Sequence, residues 1–198
     1  MQRALVEDRR AGRIGDTLLL LEHPPIITLG VRSRGSSPHV RAAPEELAAA
    51  GVMLRETGRG GDVTFHGPGQ LVGYPILDLR PDRCDVHQYV RDLEAALMGA
   101  LREFGIDSRR IQGHSGVWTG PEGQEEKIAA IGVRISRWIT SHGFALNVSV
   151  DLEYFRFIVP CGIADRGVTS MEKVLGRPVA MGDVEDAVVR GVEKVFSL

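Results

Sequence analysis

The sequence predicts one mixed α/β domain over residues 1–198, with many strands and two or three helices. Three observations carry that prediction. Short β-branched and alternating segments recur along the chain, a few stretches show apolar residues at helical spacing, and no linker, repeat or low-complexity tract divides it.

The elements follow in order. Residues 17–22 and 26–29 read as two buried strands punctuated by Pro24-Pro25. Residues 44–51 read as a short helix, with Pro44 near its start and Gly51 just past its end. Residues 52–56 look like a strand that feeds a glycine-rich run at 59–70, and the apolar stretch 71–77 follows it. The strongest helix covers about 85–104. Val86, Val90, Leu93, Leu97, Leu101 and Phe104 fall on one face, Asp85 suits the N-cap, and Gly105 suits the stop. Gly120-Pro121-Glu122-Gly123 reads as a hairpin-type loop, and residues 127–137 and 138–150 carry the pattern of paired strands. A last helix is predicted over about 183–196, with Val184, Val188, Val192 and Val195 inside.

Bulk composition narrows the function. At 198 residues, 43% hydrophobic and 25% charged, the chain is an ordinary globular sequence with a substantial core. A net charge of −2 argues against a nucleic-acid binder. Arg32, Arg34 and Arg41 read either as a local basic patch or as a solvated loop. No segment offers the ~20 apolar residues of a membrane span, and the N-terminus lacks the apolar core of a secretory signal. Cys84 and Cys161 form no disulfide framework, so a reduced, cytoplasmic chain with free thiols is expected.

The run Arg59-Gly60-Gly61-Asp62-Val63-Thr64-Phe65-His66-Gly67-Pro68-Gly69-Gln70 is the most informative stretch. Glycine at this density permits close backbone approach, at a cost in chain entropy. The run is not a phosphate cradle, because Val63-Thr64-Phe65 stands where a Lys-Ser/Thr and a helix start would be needed. It reads either as a ligand-binding segment or as an overbuilt turn.

Four further groups stand out. Cys161, between Pro160 and Gly162, is either a nucleophile, which needs a base or positive charge nearby, or a small buried apolar residue. Lys127 leads into the apolar Ile128-Ala129-Ala130-Ile131-Gly132 and reads either as a snorkelling side chain or as a desolvated amine able to act as a base. His142, ahead of Gly143-Phe144-Ala145, is a core histidine or a site residue. Cys84 and His87 have ligand-like spacing, but two ligands close no zinc site, and no metal is expected. His23, His39 and His114 have no context beyond loop or helix surface.

These blocks together resemble the octanoyltransferases of lipoate biosynthesis: the run 59–70, residues 127–132, His142 to Asn147, Pro160 to Ile163, and Val168 to Met171. The resemblance covers about residues 22–171 in the family's order. It implies a biotin/lipoate ligase-like catalytic domain that moves an octanoyl group from acyl carrier protein to a lysine of its acceptors. Those acceptors are lipoyl domains of 2-oxoacid dehydrogenase acyltransferase subunits and glycine cleavage H protein. By the same resemblance Cys161 is the acyl-thioester nucleophile, and Lys127 lowers its pKa and moves protons. Arg59, Gly60, Gly61, Asp62, Val63, Thr64, Phe65 and His66 line the acyl pocket, with Ala130, Ile131, Gly132, Gly143, Phe144 and Ala145. Asp62 departs from the residue often found at its place. No cofactor is implied, since a thioester donor is already activated.

Overall fold

The computed structural model describes residues 1–33, 39–159 and 166–197. In chain order these form α1 (Gln2–Arg10), β1 (Thr17–Leu21), β2 (Ile26–Leu29), α2 (Pro44–Ala49), β3 (Met53–Glu56), β4 (Val63–His66) and β5 (Gln70–Ile76). After them come α3 (Val86–Glu103), β6 (Arg109–Ile111), β7 (His114–Thr119), β8 (Glu126–Ser136), β9 (Ile139–Asn147), α4 (Met171–Leu175) and α5 (Met181–Phe196). A six-stranded sheet runs β1-β5-β9-β8-β7-β6, and a three-stranded sheet runs β3-β2-β4. The mixed α/β prediction therefore holds.

The long helix forms where its apolar spacing placed it. The Asp85 carboxylate accepts from the amides of His87 and Gln88 at 2.8 and 3.0 Å. At the other end Gly105 takes φ 79°, with Gly105 N–H on the Arg102 carbonyl and Ile106 N–H on the Leu101 carbonyl. That pairing closes the helix with a left-handed cap. Leu93, Leu97 and Leu101 are buried against α5, whose Val184, Val188 and Val192 face them in the main core. Each such side chain contributes roughly 1.5–3 kcal/mol on burial.

The hairpin β8–β9 pairs Ala129↔Leu146 through Ser136↔Ile139, closing on Arg137 and Trp138. The second strand stops at Asn147 rather than reaching 150, because the amides of Val148 and Ser149 both donate to the Gly69 carbonyl and leave the ladder. The loop at 120–123 does join a hairpin, β7 with β8.

Three features depart from the sequence reading. Of the two early strands expected to be buried, β1, paired with β5, is only half-buried along its length, whereas β2, the centre of the small sheet, is buried at Ile27, Thr28 and Leu29. The glycine-rich run contains β4, a four-residue strand buried along its whole length, polar Thr64 and His66 included. α1, β6, β7 and α4 were not anticipated. α1 buries none of its residues completely, so no apolar stripe announced it.

Candidate active site

A cavity of about 1300 Å³ opens along β4, β5, β8 and β9, rimmed by the first turns of α3 and by residues 110–115. Arg59, Gly61, Asp62, Val63, Thr64 and His66 line it from the glycine-rich run. Lys127, Ala130, Ile131 and Gly132 line it from β8, and Gly143, Phe144 and Ala145 from β9. Gly60 and Phe65, expected among them, are not lining residues. Side chains alternate along a strand, so β4 turns Phe65 away into the second core, where it stacks on Tyr154 at 4.8 Å. Gly60 instead spends its amide on the Val133 carbonyl at 2.8 Å and docks the run onto β8. Cys161 and Arg34 lie outside the described residues.

Lys127 is 6% exposed. Its Nζ lies 4.6 Å from the centre of the Trp118 ring, and its stem passes close to Gly116, where φ is +114°. Only a glycine fits there, since a Cβ would stand 2.6 Å from the Ala129 carbonyl. The Lys127 main chain is bound on both sides by the segment after Cys161: its amide donates to Gly167 O at 2.9 Å, and its carbonyl accepts from Thr169 N at 3.0 Å.

A polar cluster occupies another part of the wall. The buried Arg59 donates to the Thr28 hydroxyl from Nε at 3.1 Å and from Nη2 at 2.9 Å, and Nη2 also reaches the Thr28 carbonyl at 2.5 Å. Gln70 commits its Nε2 to Phe65 O and Asn147 Oδ1, so its Oε1 accepts from His66 Nδ1 at 2.8 Å. His66 Nε2 is thereby an acceptor facing the Thr28 hydroxyl at 3.4 Å. Asn147 Nδ2 continues the chain to Thr169 O at 2.9 Å, linking this wall to the segment beside Lys127.

The histidines of this wall are neutral at pH 7. Burial, opposed by the Gln70 bond and aided by the Arg59 charge, lowers His66 to about 4. Burial with the charges of Arg59 and Arg134 lowers His142 to about 4, and burial lowers His23. Tyr74, pushed up by burial, bonds His23 at 2.7 Å. Burial alone would raise the Asp62 carboxyl, but hydrogen bonds from Ser33 and His39 and the His39 charge hold it below the usual range. Thr28 and Tyr74 carried no distinguishing sequence signal, being single polar residues inside apolar strands, whereas Gln70 and Asn147 close two of the blocks that carry the resemblance. His23 lay in a Pro-rich turn whose place in space only the fold reveals.

Many glycines of the site serve packing of backbone on backbone. A Cβ on Gly143 would lie 2.2 Å from the Gly73 carbonyl, one on Gly30 2.3 Å from the Gly61 carbonyl, and one on Gly132 3.0 Å from the Gly60 carbonyl. Among the described residues no three His, Cys, Asp or Glu side chains converge as a metal site would require. No helix among them is long and apolar enough to cross a membrane.

Fold and sequence both find relatives. Residues 1–193 match the family model of the lipoyl protein ligase A/B catalytic domain, and the chain belongs to that family. An octanoyltransferase of Acidobacterium capsulatum is 54% identical over 99% of this chain and 83% of its own length. One of Myxococcus xanthus is 53% identical over 96% of this chain, which spans about half (53%) of that relative. A bipartite lipoate protein ligase from Thermoplasma acidophilum, described with its E2 lipoyl domain, superposes with a TM-score of 0.75 at 20% identity, covering 99% of this chain and 79% of its own. The biotin protein ligase of Aquifex aeolicus with biotin and ATP superposes at 0.55 and 19% identity, covering 87% and 70%.

Proposed function

We propose that the protein is an octanoyltransferase of protein lipoylation, moving an octanoyl group from octanoyl-acyl carrier protein to a lysine of lipoyl domains or glycine cleavage H protein. The observation that carries this reading is a cavity larger than the ~300–1000 Å³ of ordinary small-molecule clefts, with the buried Lys127 on its wall. The octanoyltransferases at half identity support the same reading. Apolar side chains of Val72, Ala130, Ile131 and Ala145 suit an acyl chain.

Two acyl transfers make up the reaction. The Cys161 thiolate attacks the thioester carbonyl, a new C–S bond forms, and the carrier's thiolate leaves. The acceptor lysine amine then attacks the Cys161 thioester; the C–N bond forms, the C–S bond breaks, and Lys127 takes the amine proton while Cys161 regains its thiolate. Gly167 and Thr169, six and eight residues after Cys161, hydrogen-bond the Lys127 main chain, which favours a role for the two side chains in one site.

Incubation with octanoyl-acyl carrier protein and intact mass analysis tests this directly. The protein gains one octanoyl group in place of a hydrogen, Cys161→Ser gains none by thioester and loses transfer, and no nucleotide is needed. Transfer from free octanoate and ATP that persists in Cys161→Ala would overturn the reading in favour of a ligase. Binding of both proteins with no acyl-enzyme and no transfer would leave a non-catalytic module, and release of free octanoate alone a hydrolase.

A further inference from the structure

Glu94 is a carboxylate on the buried side of α3, alongside Leu93 and Leu97, and only 4% exposed. It also lines the cavity. A carboxylate so far from water is retained only when its oxygens are hydrogen-bonded, and both are. Oε2 accepts from Arg110 Nε at 2.8 Å, and Oε1 accepts from the Gly116 amide at 3.0 Å. Arg110 also donates from Nη2 to the Arg91 carbonyl at 2.7 Å, so both members of the ion pair are fixed to α3. The second oxygen commits a buried charge to one main-chain amide of β7.

That amide lies where β7 meets Lys127. Between Val117 and Trp118 the register against β8 slips by one residue: Val117 faces Ala129, Trp118 faces Lys127, and Ile128 is the extra residue. A bulge of this kind re-aims the side chains beside it. Here it lays Lys127 along Gly116 and Trp118. Nζ is 4.6 Å from the centre of the Trp118 ring, and Cε and Cδ are 3.4 and 3.6 Å from the point where Gly116 would carry a Cβ. Gly116 makes room for the stem, but a glycine is also the most freely rotating link in a strand. Its amide is held from outside the ladder, by Glu94. A path of described contacts thus runs from α3 through Glu94 and Gly116 to the Lys127 side chain.

We propose that Glu94 is a positioning residue for Lys127, acting through the Gly116 amide. The inference rests on the proton-accepting role of Lys127 proposed above. A general base must come within hydrogen-bond reach of the proton it takes. Such placement is exacting, since an error of about 1 Å costs on the order of 100-fold in rate. Without the Glu94 carboxylate Gly116 rotates, Lys127 leaves the Trp118 ring, and proton transfer slows.

The full chain with Glu94→Ala, and separately with Glu94→Gln, supplies the test. NMR reads the NOE between the Lys127 Cε protons and the Trp118 ring, and hydrogen exchange at the Gly116 amide. Kinetics reads octanoyl transfer from octanoyl-acyl carrier protein to a lipoyl domain, both saturating. In Glu94→Ala the NOE is lost, Gly116 exchange rises about tenfold or more, and the rate falls about tenfold or more. Glu94→Gln keeps an oxygen for Gly116 but gives up the charge, and charge-assisted hydrogen bonds are roughly twice as strong as neutral ones. Its NOE, exchange and rate lie between those of alanine and wild type, and it serves if the alanine variant does not fold. Wild-type values in the folded variants would overturn the proposal, as would a slowed rate with the NOE at wild-type strength. Exchange that accelerates equally at the Leu97 and Ala100 amides would overturn it too, by marking a general loosening. If the parent protein transfers no octanoyl group, the proposed function fails, and the NOE with Gly116 exchange still decides whether Glu94 places Lys127.

Discussion

Burial at single side chains sets the chemistry of this site. Lys127 is a buried amine on a cavity wall, held at its main chain by Gly167 and Thr169. Replacement by alanine keeps the strand and removes the proposed proton acceptor. Octanoyl transfer by Lys127→Ala falls about 100-fold or more, and the pH at which Cys161 is alkylated rises. Steady-state transfer and a pH series of iodoacetamide labelling check both. His66 gives a stability signature. Its folded-state pKa of about 4 lies below the ordinary 6.5 of a histidine, so between those values the unfolded chain binds more protons. Stability from this group is fully present above about 6.5 and is lost as pH falls toward 4, amounting to about 3 kcal/mol in all. His142, shifted the same way but more open to water, adds less. Urea midpoints that fall from pH 7 to pH 4.5, with His66→Gln flattening the fall, verify the sign.

At the scale of elements, the β8–β9 hairpin forms against its local turn chemistry. Arg137 and Trp138 take φ of 52° and 64°, the two left-handed positions of a type I′ turn that favour Asn and Gly. The pairing Ala129↔Leu146 to Ser136↔Ile139 compensates, and the Trp138 carbonyl accepts the Leu79 amide at 2.9 Å. Arg137→Asn relieves the strain at an exposed position and stabilises the protein by about 0.5–1 kcal/mol, read as a rise in Tm. Helices α3 and α5 were legible because each has one apolar stripe and α3 has a cap at both ends. β4 was not, because its apolar–polar alternation covers only Val63-Thr64-Phe65-His66 and is enclosed by glycines that read as loop. The helix α1 is stabilised by contacts distant in sequence, such as the His142 amide on Gln2 Oε1 at 2.8 Å, whereas β6 is a three-residue strand too short to announce itself.

For the whole molecule, one wall depends on strands approaching more closely than side chains allow. Gly143 both lines the cavity and lies against the Gly73 carbonyl of β5. Gly143→Ala forces β9 away from β5 and costs about 3 kcal/mol, with a matching loss of Tm in thermal unfolding. The amino-acid sequence by itself determined the fold class, the main helices, the long hairpin and the family-bearing blocks at 59–70, 127–132 and 142–147. Periodicity, caps and glycine-rich motifs are local properties, readable without the rest of the chain. Tertiary structure alone decided that Phe65 and Gly60 leave the cavity wall while His23 and Tyr74 join it. It also decided that the glycines first bring backbone against backbone and that Asp62 ties Ser33 to His39. Those outcomes depend on which face of a strand meets which neighbour, and that is settled only when segments far apart in sequence pack together.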